Sequence, residues 1–231
     1  MAKKIRRKTA RQQRVDQRQA DKRRSQIASI GILAAILGVI SFTAFNHFRQ
    51  PEAADVSEMR LMDFPSLGPA DAPVVITEYG DFGCPACQQW HQLGFFDQII
   101  QQFGAQVRIE WRDFPVISPP YSGRAAQAGQ CAHDQALFWR FHDITFEREV
   151  FSALRDDDLR FYAQQAGVDL KQFNQCLDSN QHRQTVNLNE QAARTLGLRG
   201  TPGFAINGQP MAGPDPNLMV SIIAQQLNIS E

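Results

Sequence analysis

Two of the four cysteines, Cys84 and Cys87, are separated only by Pro85 and Ala86, in the stretch DFGCPACQQW. Sulfurs this close can grip a metal ion, cross-link a small fold, or cycle between dithiol and disulfide. Local structure and compartment decide among these. A cysteine at a helix N-terminus meets unpaired N–H groups and about half a positive charge. Both stabilise its thiolate and pull its pKa below the ordinary ~8.5. Gly83 makes a turn and Pro85 suits the first helical position, where its missing N–H costs nothing. Cys84 therefore reads as an exposed nucleophile. Cys87, one turn deeper on the same face, reads as the thiol that attacks a mixed disulfide formed at Cys84.

Three further groups bear on this pair. Glu78 lies in an otherwise apolar segment, where a carboxylate is costly without a purpose. Beneath the sulfurs it could carry the proton of Cys87; on an edge strand it would merely face water. Thr201-Pro202 precedes a strand-like segment, and Pro cannot donate to a ladder. A cis bond there would turn a tight corner and leave the Thr201 backbone to pair with an extended substrate; a trans turn is the plainer reading. His91, four residues after Cys87, could join the two sulfurs around a metal, but no fourth ligand is evident.

The elements that must position these residues follow from pattern. Val74, Val75 and Ile76 form a β-branched run ahead of the cysteines, read as a buried strand broken by Gly80 and Gly83. Trp90, Leu93 and Phe96 continue at helical spacing after them. Residues 106–116 alternate at Val107, Ile109 and Trp111 and predict a second strand. From about 119 to 196 the pattern is helical, with Phe138, Trp139 and Phe141 read as core and His133 and His142 as packing or surface residues. Strand-like segments return on either side of Asn207-Gly208, a hairpin signal, and residues 215–227 close with an amphipathic helix. This order predicts an α/β fold with a mixed sheet, thioredoxin-like, with a helical domain inserted at about 119–196. Cys131 and Cys176 both fall in the insertion and suit either a structural disulfide or two inert thiols.

Charge supplies the compartment. Residues 1–24 carry eleven Lys/Arg against Asp16 and Asp21, and the rest carries thirteen against twenty-two acidic residues. Between these opposed blocks, residues 25–48 hold no charge, and 27–45 are almost wholly apolar, long enough at 1.5 Å per residue for about one bilayer core. The predicted order is a basic cytoplasmic tail (1–24), a transmembrane anchor (25–48), a tether (49–66) and an exported domain (67–231). A cleavable signal peptide fits less well, because the basic region and the apolar run are both long. Nucleic-acid binding by the tail lacks aromatic interleaving. Outside the cytoplasmic membrane disulfides persist, which favours redox chemistry over zinc and favours a Cys131–Cys176 bond.

APVVITEYGDFGCPACQQW, CAHDQALFWRFHDITF, FNQCLDSN and GTPGFAING occur in an order that resembles the DsbA-like thiol–disulfide oxidoreductases, across nearly all of 67–231. The resemblance implies Cys84 as nucleophile, Cys87 as resolving cysteine, Glu78 as buried acid and Pro202 as a cis-proline preceded by Thr201. Pro85, Ala86 and Thr201 would then contact substrate. Some members of that family carry a second bridge, as Cys131 and Cys176 would form. DsbA of enteric bacteria has His between its cysteines, and Pro85-Ala86 supplies no such imidazole. The expected function is oxidation of thiols in exported proteins, with no cofactor besides the Cys84–Cys87 disulfide, by a monomer. A membrane partner of DsbB or vitamin-K-epoxide-reductase type would re-oxidise the pair. A reductase remains open. An isomerase would need a dimerisation domain for which 49–66 is too short, and a metal-delivery module using Cys84 and Cys87 is the alternative from another class.

Overall fold

The computed structural model of the protein describes residues 63–148 and 154–229. The predicted tail and anchor, and the tether up to residue 62, lie outside the described residues. Among the described residues no helix is long and apolar enough to cross a membrane.

The β-branched run becomes β2 (Val74–Gly80), which pairs in parallel with β3 (Val107–Asp113). β4 (Gly203–Ile206) lies antiparallel on its other side. β1 (Ser66–Leu67) and β5 (Gln209–Pro210) complete a five-stranded sheet of order β1-β3-β2-β4-β5. Asn207 and Gly208 both take positive φ, 49° and 77°, as a tight hairpin turn requires. Because side chains alternate along a strand, Val74, Ile76 and Glu78 share one face of β2, and Thr77 and Tyr79 the other.

Helices cover both faces. α1 (Pro85–Gln92) and α2 (Phe95–Phe103) link β2 to β3, and α8 (Pro216–Gln226), capped by Asp215, closes the described chain. Trp90, Ile99, Phe103, Met219 and Ile223 pack with Val74, Ile76, Val107 and Ile109 on one side of the sheet. The helical block between β3 and β4 comprises α3 (Pro119–His133), α4 (Phe138–Phe146), α5 (Asp156–Ala166), α6 (Leu170–Asp178) and α7 (Arg183–Thr195). Ala192 and Ala193 of α7 meet Tyr79 and Ala205 on the other side. Phe138 and Phe141 are core residues, as expected, and His142 is buried among them.

Two local expectations change. The helix after the cysteines is broken at Gly94, whose φ of 64° lies where a side chain is strained. Leu93, read as part of an apolar stripe, is therefore left 54% exposed. The predicted tether does not run to residue 66. Phe64 is buried beneath the Arg112 guanidinium, the Pro65 carbonyl accepts from Trp111 N at 2.9 Å, and Ser66 already pairs with Glu110. β2 ends at Gly80, as expected, and only glycine fits there, because a Cβ would stand 2.1 Å from the Trp111 ring.

Cys131 on α3 and Cys176 on α6 are joined by a disulfide across a sequence separation of 45. Cross-linking a loop of that length removes denatured-state entropy worth roughly 3–4 kcal/mol. Replacing both cysteines by alanine is expected to lower the unfolding free energy by about that amount in urea, leaving the Cys84–Cys87 pair to react as before.

Candidate active site

Cys84 is the N-cap of α1, with φ −94° and ψ 120°, and Pro85 occupies the first turn. Its N–H donates to the Asp81 carbonyl at 2.9 Å. The Asp81 carboxylate accepts from Gly83 N at 2.6 Å and from Ile117 N at 2.9 Å, tying the turn to the segment after β3. The turn is also held from the helical block. Arg148 donates to the carbonyls of Phe82 and Thr145, each at 2.5 Å. Gln88 on α1 donates to the carbonyls of Phe146 and Arg148, at 2.7 and 3.1 Å.

Cys84 is not exposed as expected: it is 2% accessible, and Cys87 is fully buried. The reason is the Thr201-Pro202 loop. That peptide is cis, and the Thr201 carbonyl lies 3.2 Å from Cys84 Sγ, so the loop reaches over the sulfur. Pro85 and Ala86 remain exposed on the open side. Ala86, Trp90, Leu93, Pro202, Pro214 and Pro216 are among the residues lining an open groove of about 380 Å³ beside them. Both cysteines are free thiols, so the structure shows the reduced pair.

The electrostatics separate the two sulfurs. Cys84 is lowered to about 6, first by the Cys87 thiol donating to it, then, against the cost of burial, by Thr201 and the backbone N–H groups of Cys87 and Ala86. Thr201 can serve both states of the sulfur. Its carbonyl accepts from the protonated thiol, and its buried hydroxyl, which has no other partner, faces no competition as a donor to the thiolate. Cys87 is pushed well above the ordinary thiol value, mainly by burial and by donating to Cys84, with Glu78 adding to the shift. One sulfur is thus an anion at neutral pH and the other a thiol.

Glu78 is not on an edge. It sits on the central strand β2 between Trp111 and Phe204, 3% exposed, on the face that α1 covers. Burial, then the Cys84 charge, raises it to about 8. A carboxyl with that value changes protonation near neutral pH.

The raised value also predicts a pH dependence of stability. Between its unfolded value of 4.5 and about 8, folded Glu78 keeps a proton that the unfolded chain has lost, so stability falls as pH rises through that window. Asp113, raised from 3.8 to about 6 by burial, acts the same way lower down. In the oxidised protein, where Cys84 carries no charge and burial alone raises Glu78, the urea-unfolding free energy is expected to drop as pH rises above about 6. Glu78→Gln should remove most of that drop.

Residues 63–224 match the Thioredoxin_4 family, described as thioredoxin. The chain belongs to the thioredoxin family. Among solved structures, BdbD from Bacillus subtilis aligns with a TM-score of 0.65 at 22% identity, covering 71% of this chain and 93% of that one. DsbA from Mycobacterium tuberculosis aligns with a TM-score of 0.58 at 24% identity, covering 72% and 93%. At such identities these likenesses speak for the fold. A curated relative, the Na(+)/H(+) antiporter NhaA 1 of Mycolicibacterium vanbaalenii, is 31% identical over 207 residues, 84% of this chain and 33% of that protein. The chain spans about a fifth to a third of the length of the curated relatives it matches.

Within this thioredoxin frame the structure gathers Glu78, Cys84, Cys87, Thr201 and Pro202 at one place, with Pro85 and Ala86 at its rim. Cys131 and Cys176 lie in the helical block and serve its packing. Among the described residues, two groups of metal-ligating side chains converge, Cys131–Cys176–His182 and His91–His142–Asp143, and neither contains Cys84 or Cys87. In the first, the sulfurs are bonded to each other. Asp81, Gln88 and Arg148 went unnoticed in the sequence. Only Asp81 had a local signal, as a short acid that can bond its own backbone two residues on.

Proposed function

We propose that the protein is an extracytoplasmic dithiol oxidase, anchored by residues 25–48, that forms disulfides in exported proteins. The observation that carries this reading is the division between the two sulfurs, a stabilised Cys84 thiolate above a buried, protonated Cys87. Stabilising the Cys84 thiolate favours the reduced pair, and a pair that prefers to be reduced takes electrons from its substrate.

The cycle begins from the oxidised pair. A substrate thiolate attacks Cys84 Sγ, and the Cys84–Cys87 bond breaks with its electrons on Cys87. Glu78 in its acid form gives that sulfur a proton. A second substrate thiolate then attacks its own sulfur in the mixed disulfide and expels Cys84 as the thiolate. The substrate has lost two electrons and gained a disulfide; the pair has gained both electrons. The loop at Thr201 and the apolar groove beside Ala86 suit an extended, unfolded substrate. A membrane protein of DsbB or vitamin-K-epoxide-reductase type then returns the pair to the disulfide. The disulfide between Cys131 and Cys176 supports an oxidising compartment.

The oxidised protein is expected to oxidise a reduced, unfolded substrate stoichiometrically in metal-free buffer. Failure to do so, with tight zinc or copper binding through Cys84 and Cys87 instead, would establish the metal-delivery reading. Protease digestion of residues 67–231 in cells with opened outer layers but an intact cytoplasmic membrane tests the location.

A further inference from the structure

The side of α1 that faces the helical block carries a second set of donor atoms. His91, one turn beyond Cys87, stands over His142 and Asp143, neighbours on α4. His91 Nε2 lies 3.8 Å from Asp143 Oδ1, and His142 Nδ1 lies 3.0 Å from the same oxygen. One ligand atom from each of the three residues falls within 4.8 Å of the others. Around a tetrahedral zinc with bonds of about 2.0–2.1 Å, ligand atoms sit roughly 3.3–3.4 Å apart. The two measured edges bracket that spacing. We propose that His91, His142 and Asp143 bind a zinc ion that bridges the active-site helix to α4.

The donor chemistry fits. Two imidazole nitrogens and a carboxylate oxygen form a donor set that zinc accepts, leaving a position for water. His142 is buried, with its Nδ1 facing the Asp143 carboxylate. His91 and Asp143 are partly exposed, 27% and 50% at their side chains, which gives the ion an entry path.

The surroundings point to a ligand independently. The three residues line a cavity of about 180 Å³, together with Asp97, Trp90 and Trp139. The indole N–H groups of Trp90 and Trp139 are both buried without a hydrogen-bond partner. A buried N–H left unpaired is costly, and a zinc-bound water or hydroxide in this cavity offers the acceptor they lack. Trp90 also lines the groove beside Ala86 and Pro202, so the ion would brace a wall of the groove from behind. The site shares no ligand with the redox pair and stands apart from the oxidase reading.

Calorimetric titration of the oxidised full-length protein with zinc chloride at pH 7.5 tests this, because bonded Cys84 and Cys87 offer no thiolate. One zinc per chain is expected, with at least tenfold weaker binding for His91→Ala and for Asp143→Asn. Cobalt(II) in place of zinc should give a four-coordinate visible spectrum without a sulfur-to-metal band. Absence of stoichiometric binding, unchanged affinity in His91→Ala, or a sulfur-to-metal band would each overturn the site.

Discussion

Replacing Cys84 by serine abolishes thiol–disulfide exchange, whereas replacing Cys87 leaves the first attack intact and arrests the protein on its substrate. The asymmetry follows from position. Cys84 caps α1 beside the exposed Pro85 and Ala86, and its sulfur is the one of the two whose thiolate is stabilised. Cys87 is fully buried, with its proton held by burial and by donation to Cys84. In Cys87→Ser the serine hydroxyl cannot displace Cys84 from a mixed disulfide, so the adduct persists. Non-reducing gels of Cys87→Ser exposed to disulfide-bearing unfolded protein should show a covalent adduct that reductant removes. Cys84→Ser should give none, with exchange reduced to the uncatalysed background. Adducts at Cys87, or none at either position, would reverse the assigned roles.

The second large effect is on pH dependence. Cys84 at about 6 is roughly 90% thiolate at pH 7, against about 3% for an ordinary thiol near 8.5. That thirtyfold gain does not translate into a thirtyfold faster attack, because nucleophilicity falls with pKa at a slope of about 0.4–0.5 and returns about a factor of ten. The midpoint, rather than the rate, is diagnostic. Alkylation of the reduced protein at Cys84 should rise through a midpoint near pH 6 and be flat by pH 8. Cys87 should stay unmodified throughout, and an alkylation midpoint above pH 8 would contradict the geometry around Cys84. The shift helps Cys84 more as a leaving group, since a lower pKa speeds its expulsion from the mixed disulfide.

The parts of the site legible in the sequence were those with strong local chemistry. Pro85 after a glycine turn placed Cys84 at a helix start, and a β-branched run placed Glu78 in a strand. Asn207-Gly208 fixed the last hairpin. What sequence pattern could not supply were consequences of segments meeting in space. Cys84 is recessed because the distant Thr201-Pro202 loop covers it. β1 was hidden because two residues of edge strand have no periodicity to read. Gly94 broke a helix that the spacing of Trp90, Leu93 and Phe96 ran through, since a single glycine weakens a helix without always ending it. Arg148 and Gln88 hold the active-site turn through backbone carbonyls, contacts that residue type does not announce. His91 looked like a partner for the cysteines by spacing alone, yet α4 brings it His142 and Asp143 instead.

The equilibrium of Cys84–Cys87 with glutathione tests the oxidase reading most directly. At pH 7 a Cys84 pKa of about 6, in place of ~8.5, stabilises the reduced pair by about 1.4 kcal/mol, or about 30 mV. The effect grows as pH rises from about 6 towards the ordinary thiol value, because only there does the depressed pKa leave Cys84 ionised while a normal thiol is not. Thioredoxin, with a thiol near 7, stands at about −270 mV, and DsbA, with one near 3.5, at about −120 mV. The value here lies between them, so the predicted potential is about −250 to −180 mV, above thioredoxin and below DsbA. A potential at or below about −270 mV would mark a pair that gives electrons more readily than it takes them, and would contradict the oxidase account.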